Sequence, residues 1–266
     1  MLNNVAKRIN LLPQKKEQEF KMIFANEYGS VDFWKEVNIP IFKKVAVTLS
    51  AGTDSALVLY MLCTYITENN LDIEILPFTG VDTKRPMNHL NASEIVDFFQ
   101  EKFPNITFLS HFIFWYEHTP RDSEMKREAH RKEERKLYNE EDVKLFCRGK
   151  SANPPEDEAQ KHNMFFDRER ERDSDIDDGY KIFMRTGREG KSGSEPGRWI
   201  YTPLAFVDKR FVAKCYKDYD LMEELFPITA SCIGYEKTTD YWTKPCKKCW
   251  WCKEKLWAFG MYDGGL

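Results

Sequence analysis

A chain of 266 residues with 42% hydrophobic and 14% aromatic content has enough apolar mass for a real core, which excludes a disordered protein. Its formal net charge of −3 excludes a global basic field and leaves only local basic faces for any polyanion. Seven cysteines are an odd count, and their crowding between Cys232 and Cys252 favours a metal over disulfides in a reducing compartment.

The opening "MLNNVAKRINLLPQKKEQEF" lacks the apolar run of a signal peptide, and no stretch reaches membrane-spanning length. The expectation is a soluble, cytoplasmic protein with no membrane partner. Residues 1–43 read as an N-terminal extension. Phe20–Phe24 and Val31–Val37 carry apolar residues at helical spacing, and Pro40 breaks the pattern. From Lys44 the chain alternates strand and helix: "VAVTL", "DSALVLYMLCTYITE", "IEILPFT", "LNASEIVDFFQEKF", "ITFLSHFIF". This predicts an α/β fold with parallel strands joined by helical crossovers.

The charged stretch Glu117–Asp142 predicts a solvated helix or helix pair, or else a lid or basic docking face. A fourth strand, "VKLFCRG", is followed by "KSANPP". Residues Glu156–Gly179 read as a mobile charged loop. "YKIFMRTG" and "GRWIYTPL" are predicted to pair as a hairpin across "GREGKSGSEPG", and "DKRFVAKCYKDY" predicts a helix. The chain divides into the extension, a nucleotide-binding unit over 44–220 and a cysteine-bearing segment over 221–266.

Between the first core strand and its helix lies Ser50-Ala51-Gly52-Thr53-Asp54-Ser55. A strand ending directly in a helix start gathers free backbone N–H groups and positive dipole potential, which hold an anion without a lysine. The Ser50, Thr53 and Ser55 hydroxyls add donors. Asp54 repels phosphate unless a divalent cation such as Mg²⁺ lies between them. The competing reading is a capped turn, with Thr53 or Asp54 satisfying the first-turn amides. This loop carries no Gly-Lys-Ser/Thr of the Walker type.

Cys232, Cys246, Cys249 and Cys252 form two overlapping Cys-x-x-Cys steps with a fourth thiol 14 residues upstream. Four thiolates complete a closed tetrahedral shell for a structural Zn²⁺, with a redox pair or an iron–sulfur cluster as rivals. Cys63, Cys147 and Cys215 fall within predicted core elements and read as buried apolar residues. Asp82, beside Lys84 and Arg85, directly follows a strand, where open α/β sheets bind ligands. Arg148, Lys150, Ser151 and Asn153 follow the fourth strand in the same way. Either set serves as substrate or nucleotide contacts, or the loops merely satisfy their own backbones. His89 is the one histidine near this region, as catalyst or as a cap and packing residue.

"SAGTDS" resembles the Ser-Gly-Gly-x-Asp-Ser loop of N-type ATP pyrophosphatases, the PP-loop enzymes, with Ala51 in place of the usual glycine. A second resemblance lies downstream. Thr202, Pro203, Leu204, Asp208, Lys209, Thr229, Ser231, Cys232 and the three later cysteines are similar, in order, to the C-terminal third of 7-cyano-7-deazaguanine synthases. The segment "FTGVDTKRPMNHL" departs from that family's pattern, although Gly80, Arg85 and His89 keep part of it, and the family's Gly-Arg-Asn segment has no counterpart.

This resemblance implies a doubly wound, mainly parallel sheet of the adenine-nucleotide alpha-hydrolase-like type with a C-terminal four-cysteine zinc segment. It implies ATP held by Ser50, Ala51, Gly52, Thr53, Asp54, Ser55 and Thr79, with Asp54 and Lys209 as catalytic groups, Mg²⁺ and Zn²⁺ as cofactors, and a homodimer. The implied reaction converts 7-carboxy-7-deazaguanine and ammonia to the nitrile. The acid is adenylated with loss of pyrophosphate, ammonia gives the amide, and a second activation removes the amide oxygen as AMP. Two other readings stand beside it. One is a related enzyme adenylating a different carboxylate or amide on a small molecule, nucleic acid or protein. The other is a non-catalytic zinc module whose Trp242, Trp250 and Trp251, interleaved with Lys244, Lys247, Lys248 and Lys253, bind a nucleic-acid strand.

Overall fold

The computed structural model describes residues 22–34, 42–117, 123–164, 182–185 and 198–263. Its first elements correct the helical expectation for the extension. Strands β1 (Met22–Asn26) and β2 (Gly29–Phe33) pair antiparallel, with Asn26 opposite Gly29. Asn26 Oδ1 accepts the Tyr28 amide at 2.9 Å, and Gly29 takes a φ of 142° that a side chain would resist. Apolar residues therefore face inward with period two, burying Phe24, Val31 and Phe33. The hairpin docks on the main body where the Trp34 amide donates to the Tyr201 hydroxyl at 2.8 Å. Residues 1–21 and the Pro40 break lie outside the described residues.

The remaining strands are β3 (Lys44–Thr48), β4 (Glu74–Asp82), β5 (Phe112–Tyr116), β6 (Leu145–Arg148), β7 (Ile182–Arg185) and β8 (Arg198–Tyr201). They form one sheet in the order β5–β4–β3–β6–β8–β7, parallel throughout except for β7, which pairs antiparallel with β8. The expected mainly parallel α/β sheet and the β7–β8 hairpin are both present. Strand β5 begins later than expected, because Phe108 makes only an isolated bridge to Ile75.

Central strands are buried on both faces. Val45, Val47 and Leu49 pack with α1 (Thr53–Glu68), α2 (Asn88–Lys102) and α5 (Lys209–Asp218), whereas Ala46, Phe78 and Phe146 face α3 (Ser123–Glu140) through Leu137. Helix α1 is buried nearly all round, and Cys63, Cys147 and Cys215 are buried as expected. The charged stretch forms one helix, α3, whose Glu134 is fully buried against Arg148.

Part of the expected mobile loop is instead a short helix, α4 (Glu156–Lys161). Three acids in its first turn and Lys161 in its last suit the helix dipole. Residues 165–181 and 186–197 lie outside the described residues. The cysteine segment closes onto the same core through Phe226 and through Phe259 of α6 (Trp250–Phe259), both packed on Tyr216. Among the described residues no helix is long and apolar enough to cross a membrane.

Candidate functional site

The chain runs from β3 to β4 on one side and returns to β6 on the other, so the sheet changes direction at β3. Ligands of open α/β sheets bind beyond the strand ends at such a point. The two loops that meet there are 49–55 after β3 and 149–155 after β6. A Cβ added to Gly149 would lie 2.3 Å from the Ser55 amide nitrogen, so the second loop rests directly on the first turn of α1.

The capped-turn reading fails at this helix start. The N-cap is Gly52, which has no side chain to cap the helix, and Thr53 and Asp54 already belong to it. Ser55 Oγ instead accepts the Ser50 amide at 3.2 Å and donates to the Gly52 carbonyl at 3.0 Å, folding the loop back on itself. The buried hydroxyls of Thr53 and Ser231 have no hydrogen-bond partner among the described residues. Buried polar atoms normally find partners, so two orphans at one helix start suit a polar ligand.

Ala51 holds a φ of 63°, and its carbonyl accepts the Ala230 amide at 2.8 Å. An L residue in this region is strained by about 1–2 kcal/mol, and tertiary bonds hold it there. Ala51→Gly is therefore expected to stabilise the fold by about 1 kcal/mol, raising Tm by a few degrees in a thermal melt. An unchanged or lower Tm would show that the buried methyl contributes more packing than the backbone loses in strain.

Asp54 projects from this turn into a charged cluster. Lys209 Nζ donates to its Oδ1 at 2.6 Å, and Ser151 Oγ donates to its Oδ2 at 3.0 Å. Lys209 is buried rather than a surface lysine, fixed as the first residue of α5 because Asp208 caps that helix through the Arg210 amide. It also lies 3.8 Å from the fully buried Glu254. Lys255 completes the cluster, donating to Thr229 Oγ1 at 3.1 Å and pairing with Asp263. Burial pushes the Lys255 ammonium below its usual range, opposed by Asp263. Asp54, Glu254 and Asp263 thus face two lysines, so acidic side chains outnumber basic ones by one in the cluster. An entering polyphosphate would need a divalent cation to offset that excess.

Thr79 lies beside the loop and donates to the Leu49 carbonyl at 3.0 Å. Its remaining contact, 2.8 Å to His111 Nε2, makes that nitrogen the protonated one. Burial pushes His111 down to about 4, so the ring is neutral at pH 7. His111 also lines a cleft of about 350 Å³ with Ser93, Asp97 and Gln100.

The predicted substrate residues divide into two groups. Ser151 reaches Asp54, and the Ala152 amide ties the same loop to the Val207 carbonyl. The others are engaged elsewhere. Asp82 accepts the Lys84 amide at 2.9 Å and pairs with Arg85 at 3.1 Å, so that turn closes on itself. Arg148 pairs with Glu134. His89 bonds the Pro86 carbonyl and packs on Trp115 at 5.3 Å between ring centres, the packing alternative raised by the sequence. The Lys150 amide bonds the Arg148 carbonyl, and Asn153 is half-buried in the same loop.

Cys232, Cys246, Cys249 and Cys252 converge with all four sulfurs within 4.8 Å of one another. A single tetrahedral ion with metal–sulfur bonds of about 2.3 Å needs sulfurs about 3.8 Å apart. Cys246 and Cys252 lie 3.9 Å apart. A multi-iron cluster, each cysteine binding its own iron, needs a wider cage. Amides of Gly234 and Cys246 donate to Cys232 Sγ at 3.2 Å, and that of Cys249 to Cys246 Sγ at 3.4 Å. Cys249 is the N-cap residue of α6 and Cys252 lies in its first turn. Lys247, at a φ of 58°, provides the tight turn between Cys246 and Cys249.

The sequence reading missed Glu254, Lys255, Asp263 and His111. One signal was available for Lys255. With Cys252 and Phe259 it repeats at i, i+3 and i+7, which puts it on the buried stripe of α6.

No family model matches the chain, and no curated protein matches it. Among solved structures, the chain is similar to the U34-tRNA thiolase NcsA from Methanococcus maripaludis with its [4Fe-4S] cluster. The TM-score is 0.42 and the identity 16%, over 82% of this chain and 70% of that one. The chemistry of the site is therefore read from its own residues.

Proposed function

We propose that this chain is a PP-loop ATP pyrophosphatase that adenylates a carboxylate, of the 7-cyano-7-deazaguanine synthase type. One observation carries the reading. A helix start with glycine as its N-cap and two buried hydroxyls without partners among the described residues lies beside a lysine bonded to the loop's own aspartate. First-turn amides and the Thr53 and Ser231 hydroxyls would bind the β- and γ-phosphates. Attack of the substrate carboxylate on the α-phosphorus expels pyrophosphate, and charge grows on the departing oxygens. Lys209 can then shift its hydrogen bond from Asp54 to those oxygens. A Mg²⁺ held at Asp54 would offset the acidic excess. Zinc is the metal the four thiolates suit, and its closed shell assigns it to architecture rather than to the reaction.

Metal-loaded protein given ATP, Mg²⁺, ammonia and 7-carboxy-7-deazaguanine is expected to release AMP and pyrophosphate and to form the nitrile, read by mass spectrometry. Absence of both nucleotide products across a panel of carboxylates would sink the enzyme reading.

A second acceptor class is favoured by the pairing of Asp82 with Arg85 and of Arg148 with Glu134. These side chains are spent on one another, so a deazaguanine site built from them would first have to break buried ion pairs. ATP binding without turnover of the deazaguanine acid would select a different carboxylate or amide as substrate.

A further inference from the structure

Residues Thr229–Cys232 stand between the two halves of the site. On one side, the Ala230 amide holds the Ala51 carbonyl at 2.8 Å, and Ser231 Oγ would lie 3.5 Å from a Cβ placed on Gly52. On the other side, Asp263 Oδ2 accepts the Ser231 amide at 2.9 Å and the Cys232 amide at 2.8 Å. Its Oδ1 takes Lys255, which in turn reaches Thr229 Oγ1 at 3.1 Å. The segment ends at a metal-ligating position, and Lys255 shares α6 with Cys252. Both paired side chains of the bracket are 1% exposed.

A buried carboxylate with two amide donors and one ammonium is a stiff, directional anchor. Loosening it would release the ligand loop and the Ala230 contact together, because no residue intervenes between Ala230, Ser231 and Cys232. We propose that Asp263 is a positioning residue that locks this segment onto the phosphate loop, so that metal retention and nucleotide binding strengthen each other. The proposal rests on the nucleotide reading above.

Coupling between two sites is reciprocal, so it can be read from the metal side. Zinc-loaded protein is challenged with a colorimetric chelator, with and without MgATP in excess Mg²⁺, and nucleotide affinity is measured by calorimetry. MgATP is expected to slow zinc release from the wild type by about tenfold. In Asp263→Asn, release without nucleotide should be several-fold faster, MgATP should slow it less than about twofold, and the Kd for MgATP should rise about tenfold. Glu158→Ala loses the 2.8 Å bond that Glu158 Oε2 accepts from Trp257 Nε1 of α6 and should behave as wild type. If Asp263→Asn fails to fold, Asp263→Glu keeps charge and acceptors at a longer reach and should show the same loss of coupling.

Wild-type release and wild-type affinity in the Asp263 variants would overturn the proposal. If MgATP binds the wild type but leaves zinc release unchanged, the coupling alone falls. If MgATP does not bind the wild type at all, the nucleotide reading falls and takes the coupling with it.

Discussion

Asp54→Asn is expected to lower ATP-dependent pyrophosphate release at least about 100-fold, the loss typical of removing one aimed electrostatic group from a reaction centre. Asparagine keeps the size of the side chain and an oxygen for Ser151, so the loop should survive. What disappears is the charge that holds Lys209 at 2.6 Å in a buried position. Lys209 then leans toward Glu254, which lies at 3.8 Å and is fully buried, and away from the place where pyrophosphate develops charge. The same change removes the only carboxylate of the loop that could hold a divalent cation against phosphate.

Stability should fall less than the simple loss of a buried ion pair would predict. Breaking a buried ion pair commonly costs about 3–5 kcal/mol, but here the lysine retains a second carboxylate partner. A melting temperature within a few degrees of wild type, together with lost turnover, would separate a chemical role from a structural one. Pyrophosphate release at the wild-type rate would remove Asp54 from the reaction.

The parallel sheet was legible because its central strands are buried on both faces. "VAVTL" and "VKLFC" are nearly unbroken apolar runs, and such runs between helical stretches leave little choice of architecture. The N-terminal hairpin was not, because five-residue strands are too short to separate a period of two from one of 3.6. Its better signal was the turn, Asn26 two residues before Tyr28 and three before Gly29. The phosphate loop and the cysteines were legible as local spacing. Partners brought together by the fold were not. Glu134 looks like a solvated charge in the sequence, yet it is fully buried and pairs with Arg148. Asp263 gave no sign at all, since its meaning lies in amides 31 and 32 residues away.

Cys252→Ser should have the largest effect on stability. Residues 233–249 contribute little to the apolar core; among them Thr239 is buried, whereas Tyr235 and Tyr241 are 47% and 69% exposed. The segment also holds Asp240, Tyr241 and Trp242 in succession at φ values of 51°, 57° and 62°. At about 1 kcal/mol or more for each L residue, this backbone is uphill by roughly 3 kcal/mol without an external restraint. Four thiolates on one ion would provide that restraint, since structural zinc in small domains contributes on the order of 10 kcal/mol of binding energy to folding. Serine is nearly isosteric but binds zinc poorly, so the variant should contain less than about half the wild-type zinc by elemental analysis. Its Tm should fall by roughly 10 °C. Cys215→Ser supplies the comparison, because that thiol is equally buried and is not part of the cluster. It should keep its zinc and lose far less stability. Full zinc content in Cys252→Ser, or equal losses in both variants, would show that packing of α6 rather than the metal holds the segment in place.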